Sequence, residues 1–148
     1  MIFDRDSITN PERTFLVLRN MSGEVIPKGG AVVWATAQGT NPGADVTKSG
    51  SASGNPPGTI GLFVGIAFTA ILDQAQGLIQ PYGYCEEALV LDDTVTAIEH
   101  GDILVPVFEQ WYLSRSAAGD GKSGKVHAGE AVVVNPVPAA ALHKVYIG

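Results

Sequence analysis

A chain of 148 residues with 45% hydrophobic content has enough apolar surface to bury a core, which excludes wholesale disorder. Its formal net charge is −6, and its nine Lys and Arg are scattered, Lys122 and Lys125 being the densest pair. No basic stripe is present, so nucleic acid and anionic membrane are excluded as expected partners. Eighteen Gly and nine Pro argue against long helices and suit short strands joined by turns.

Residues 1–13, "MIFDRDSITNPER", are polar, contain Pro11 and lack the apolar centre of a signal peptide. They read as an extended arm that orders on a partner, with Ile2, Phe3 and Ile8 as its apolar anchors. "TFLVLRN", residues 14–20, reads as a strand with Phe15, Val17 and Arg19 on one face and Leu16, Leu18 and Asn20 on the other. Ser22-Gly23 and then "IPKGG" turn the chain into a second strand, "AVVWATA", residues 31–37. Residues 38–59 are dominated by Gly, Ser, Thr, Asn, Pro and Ala and read as a long surface loop, with a short strand at "ADVT".

"LFVGIAFTAI", residues 62–71, reads as a buried strand, because Gly65 and the flanking glycines oppose a helix. The apolar run that contains it, residues 61–72, is shorter than the about 20 residues a membrane-spanning helix needs, so a soluble protein is expected. "LIQPYGYCEEALVL" gives one or two more strands, and "DDTVTAIEHGDILVPV" a strand, a Gly101-Asp102 turn and a strand. "QWYLS", a glycine loop, the strand "GEAVVV" and a last strand, "LHKVYI", complete the chain. Roughly eight to ten short strands with a turn signal about every ten residues predict an all-β fold, a compact barrel or sandwich. The expected organisation is an arm, 1–13, and one β domain, 14–148.

Motifs that would carry chemistry fail on context. "SAAGDGKSGK", residues 116–125, approaches a phosphate-binding loop through Gly121, Lys122 and Ser123. Ser116 stands where the first glycine belongs, and Gly124 and Gly129 oppose the helix that must follow, so a hairpin loop is expected. Cys85 is the only cysteine, which excludes an internal disulfide and a cysteine zinc site; a buried thiol is expected. His100, His127 and His143 are too dispersed to read as metal ligands. Glu86-Glu87 and Asp92-Asp93 are adjacent acids whose side chains point to opposite faces of a strand, and read as solvated charges. Trp34 and one of Trp111 and Tyr112 are expected in the core; the other of that pair is a candidate interface aromatic, so both are candidates. The expectation is a protein without cofactor or metal, and not an enzyme.

The order of the turn motifs carries a resemblance. "VLRNMSGEVIPKGGAVV", with Asn20, Ser22-Gly23, Ile26 and Lys28-Gly29 before a strand, is followed by "FVGIAFTAI", "QGLIQPYGY" and "HGDILVP". That succession, over residues 14 to about 107 and more loosely to "HKVYIG", resembles a family of small tailed-phage virion proteins, the capsid decoration (cement) proteins and related head-fibre base domains. The resemblance implies a structural protein, made in the host cytoplasm and carried on the outer capsid surface. It implies a homotrimer that bridges major capsid protein subunits, and it carries over no catalytic residue. Two other readings stay open: a fibre-base or receptor-binding domain that meets glycans through residues 38–59, and an enzyme whose pocket gathers Asp92, Asp93, Glu99 or Asp102.

Overall fold

A computed structural model describes residues 13–36, 39–41, 43–50, 63–92, 96–116, 126–135, 137 and 139–148. The anchors Ile2, Phe3 and Ile8, the second half of the 38–59 loop and most of the glycine loop lie outside the described residues.

Alternation dictates the first strand, β1 (Thr14–Asn20): Leu18 and Asn20 turn inward and Phe15 and Val17 outward. The chain continues through β2 (Ala31–Trp34), β3 (Asp45–Thr47), β4 (Phe63–Ala67), β5 (Gln76–Leu91), β6 (Ile103–Pro106), β7 (Leu113–Arg115), β8 (Val126–Ala128) and β9 (Ala140–Ile147). No helix occurs among the described residues, and the fold is all-β.

The strands close into two rings that share β5. β1, β3, β2, β4 and the first half of β5 form a closed five-stranded barrel, sealed by antiparallel pairing of β1 with β5 from Thr14↔Tyr82 to Arg19↔Gln76. The second half of β5 pairs with β9 from Gly83↔Ile147 to Leu91↔Ala140, and β8, β6 and β7 complete the second ring. The barrel encloses Leu18, Ile26, Val32, Val46, Val64, Ala67, Ile71 and Ile79. The second core holds Cys85, Val90, Ile98, Leu104, Leu113, Val126, Val145 and Ile147, and also Ala31, Phe63 and Ile66 from β2 and β4. The β2–β4 pair therefore buries one face in each core, which is why "FVGIA" is continuously apolar. Each fully buried Ile, such as Ile26, Ile66, Ile79 or Ile98, contributes about 2–3 kcal/mol by leaving water.

The residues that carry the resemblance are those that fix local geometry. Asn20 is fully buried and spends its whole side-chain amide: Nδ2 donates to Glu24 O and Ile71 O, and Oδ1 accepts from the Ser22 N–H and hydroxyl. Ile26 is fully buried and bridges Ile71. Gly29 adopts φ +78°, and a Cβ there would meet the Glu87 carbonyl at 2.8 Å. At Gly65 the backbones of β4 and β5 approach so closely that a Cβ would sit 2.2 Å from Gln80 O.

One local expectation needs correction, and two segments gain definition. "LIQPYGYCEEALVL", read as one or two strands, lies within a single 16-residue strand. Gly83 takes φ +94° where β5 changes partners, and the buried Gln80 amide donates to Tyr82 O and Tyr84 O there, so the strand bends without breaking. "VHA", which follows the glycine loop, is β8. "GEAVVV" contributes only a bridge, Ile98↔Val132, because Val132 alone of its three valines turns inward.

Candidate binding surfaces

The outward face of the barrel at β1 carries an apolar strip. Val17 lies directly opposite Leu78, so both side chains share one face. Phe15 is two residues before Val17 and meets Phe68 edge-on, with ring centroids 5.2 Å apart. The Phe68 N–H donates to Leu78 O, which ties the fourth member to the first pair. Val17 is 62% exposed, Phe68 44%, Leu78 39% and Phe15 38%. Beside the strip, Arg13, Ala67, Phe68, Gln80, Cys85, Glu86 and Glu87 line a hollow of about 160 Å³. Arg13 Nη2 pairs with Glu86 Oε1 at 3.1 Å, fixing the last residue of the expected arm against the barrel.

A second surface is aromatic. Tyr82, Gly83, Tyr84, His127, Tyr146, Ile147 and Gly148 line a cavity of about 330 Å³ on the second ring.

Charged groups are paired rather than gathered. Arg19 grips Asp45 with two hydrogen bonds of 2.8 Å. This bond holds the Asp45 carboxyl below the usual carboxylate range against the opposing effect of burial, with help from the Asn41 N–H. It also raises the Arg19 guanidinium. Glu130 accepts the Lys144 N–H at 3.0 Å and lies 3.2 Å from His143 Nδ1. The Lys144 N–H is the main cause that holds the Glu130 carboxyl low; burial opposes it and His143 adds to it. On its other side His143 Nε2 is 3.7 Å from Asp92 Oδ1, and both atoms are buried without a hydrogen-bond partner among the described residues. The imidazole thus sits between two carboxylates. Among the described residues no group of three His, Cys, Asp or Glu is placed to hold a metal.

The structure redistributes the residues singled out above. Asp92 is not a solvated turn charge; its side chain is 14% exposed and faces His143, because Ala88↔His143 and Leu91↔Ala140 align the ends of β5 and β9. Asp93 lies outside the described residues. Glu86 and Glu87 do not alternate: a bulge between Cys85 and Ala88 exposes both, Glu86 to Arg13 and Glu87 to Lys28. Cys85 is buried, and burial raises its thiol pKa. Trp34 and Trp111 are half-buried against the barrel core, and Tyr112 is half-buried in the segment before β7. Asp102 binds Arg115 at 2.9 Å and accepts the Glu99 N–H.

The strip was half legible: the alternation of Phe15 and Val17 marks one face, but their pairing with Leu78 and Phe68 depends on the β1–β5 closure. Compared with known proteins, the sequence matches no family model and no curated protein.

Proposed function

We propose that this chain is a structural virion protein that decorates the outer surface of a phage capsid, associates as a homotrimer and bridges major capsid protein subunits. The observation that supports this reading is the apolar strip of Phe15, Val17, Phe68 and Leu78 at the start of β1. Apolar side chains gathered on one outward face are the usual mark of a surface that meets another protein. The strip begins at Phe15, two residues after Arg13, so whatever the arm engages lies next to it. Arm and strip form one continuous contact: the arm adds a strand to an exposed sheet edge on the shell, and the strip covers the neighbouring subunit. Repetition around a closed lattice turns a modest contact into a tight one. The formal net charge of −6 keeps free copies soluble before they meet the shell.

The test is co-sedimentation with purified empty capsids. Among the described residues, removal of residues 1–13 takes away the exposed Arg13–Glu86 pair, worth about 0–1 kcal/mol, so the shortened chain should keep its unfolding midpoint. It should no longer pellet with shells. Pelleting equal to that of the full chain would overturn the role of the arm.

A further inference from the structure

We infer that the tyrosine-lined cavity on the second ring binds a neutral saccharide. Its wall is a row set by strand register. Tyr84 on β5 lies opposite Tyr146 on β9, and Tyr146 lies opposite His127 on β8. Directly opposed residues share a face, so the three side chains stand in line across three strands. Their neighbours Cys85, Val145 and Val126 turn the other way into the core, which holds the row outward. The Tyr84 and Tyr146 rings meet at 5.1 Å and are tilted by 51°. Tyr82 adds a third ring from the bend that the Gln80 amide fixes. Gly83 and Gly148 line the same cavity and place no side chain in it.

The chemistry of this wall selects the ligand. Tyr82 is 53% exposed and Tyr146 46%, so aromatic surface is presented to solvent. Among the described residues the three phenol hydroxyls make no hydrogen bond, which leaves a donor and acceptors unused. His127 Nδ1 is 3.2 Å from Gly101 O; a carbonyl can only accept, so Nδ1 carries the hydrogen, and in the neutral tautomer with that hydrogen Nε2 is an acceptor. No Lys, Arg, Asp or Glu lines the cavity. A pyranose ring matches each term: a C–H face to lie on a tyrosine and a rim of hydroxyls to meet phenols and imidazole. A hydrocarbon chain leaves the polar rim unpaired. A phosphorylated or sialylated sugar finds no cation in the wall and meets a chain of net charge −6. The volume, about 330 Å³, is at the small end of ligand sites and suits one or two rings.

This site is distinct from the strip of Phe15 and Val17, and it differs from the glycan contact that the sequence suggested in residues 38–59. It does not depend on shell binding, and the free full-length chain serves for the test. Neutral trisaccharides built on glucose, galactose, mannose or N-acetylglucosamine, and 3′-sialyllactose as the charged control, are titrated and followed by saturation-transfer NMR. At least one neutral trisaccharide should bind, with transfer strongest at its ring C–H protons. Tyr146→Ala and Tyr84→Ala should each weaken it at least about tenfold, and Tyr146→Phe, which keeps the ring, by only a few-fold. Unchanged unfolding midpoints in these exposed-face variants separate lost binding from lost fold. No binding of any neutral trisaccharide at roughly 10 mM would overturn the inference. So would binding untouched by both alanine substitutions, preference for sialyllactose, or a self-association lost in Tyr146→Ala, which would make the row an interface between copies.

Discussion

Replacing Val17 and Leu78 together by serine attacks the apolar strip where register makes them partners. Full burial of a Val or Leu side chain is worth about 1.5–3 kcal/mol. Val17 is 62% exposed and Leu78 39%, so roughly half of each remains to be covered by a partner. The pair should therefore contribute about 2 kcal/mol to one subunit contact, equivalent to an about 30-fold change in Kd. Both side chains face outward, so unfolding should shift by less than about 1 kcal/mol. Sedimentation equilibrium on the wild type and the double variant measures the association constant, and urea unfolding measures the fold. The control replaces Val133 and Val137 by serine; these are 83% and 69% exposed but lie outside the strip. The reasoning predicts loss of association in the first variant and none in the control. Equal association in all three proteins, with equal binding to shells, would refute it.

Other consequences follow from the packing and the buried charges. Gly65→Ala should cost about 3 kcal/mol in urea unfolding, since the new Cβ would stand 2.2 Å from Gln80 O and 2.7 Å from its carbonyl carbon, and backbone cannot yield as a side-chain tip does; a loss below about 1 kcal/mol would contradict the close approach of β4 and β5. Glu130 and Asp45 both have carboxyl pKa values lowered in the folded chain, so the unfolded chain binds their protons more readily. Their stabilisation is complete above the ordinary carboxylate range of about 4 and fades as pH falls through the lower folded values. Glu130→Gln should accordingly flatten the acid limb of a stability-against-pH curve and leave its alkaline limb alone. Cys85 is buried with a raised thiol pKa, so at pH 8 iodoacetamide should modify it at least about tenfold more slowly in the native chain than in urea; equal rates would place the thiol at the surface.

Local pattern was enough for much of the fold. The seven residues of β1, the short strand at Asp45–Thr47 and the final strand follow from alternation and turn chemistry that neighbouring residues supply. What pattern did not give was closure. Nothing near Leu78 announces that it meets Val17, or that β5 will serve two rings in succession, because both facts depend on pairing between segments far apart in the sequence. The same holds for charge. Asp92 looks like a turn residue until β9 returns and sets His143 beside it, and Glu86-Glu87 looks like an alternating pair until a bulge exposes both. Cys85 was legible because a free cysteine is among the residues most often buried. The tyrosine row was not, since Tyr84, His127 and Tyr146 share a face only through the registers of three strands.

The most direct test of the central proposal is the composition of virus particles. An antibody raised against this chain would be used to probe density-banded particles from cells that carry its gene, and quantitative mass spectrometry would give its ratio to the major shell protein. The account predicts the chain in the particle band at a fixed ratio, accessible to antibody on intact particles, and missing when Val17 and Leu78 are replaced by serine. Its absence from the band, or its presence only inside opened particles, would contradict a decorating role.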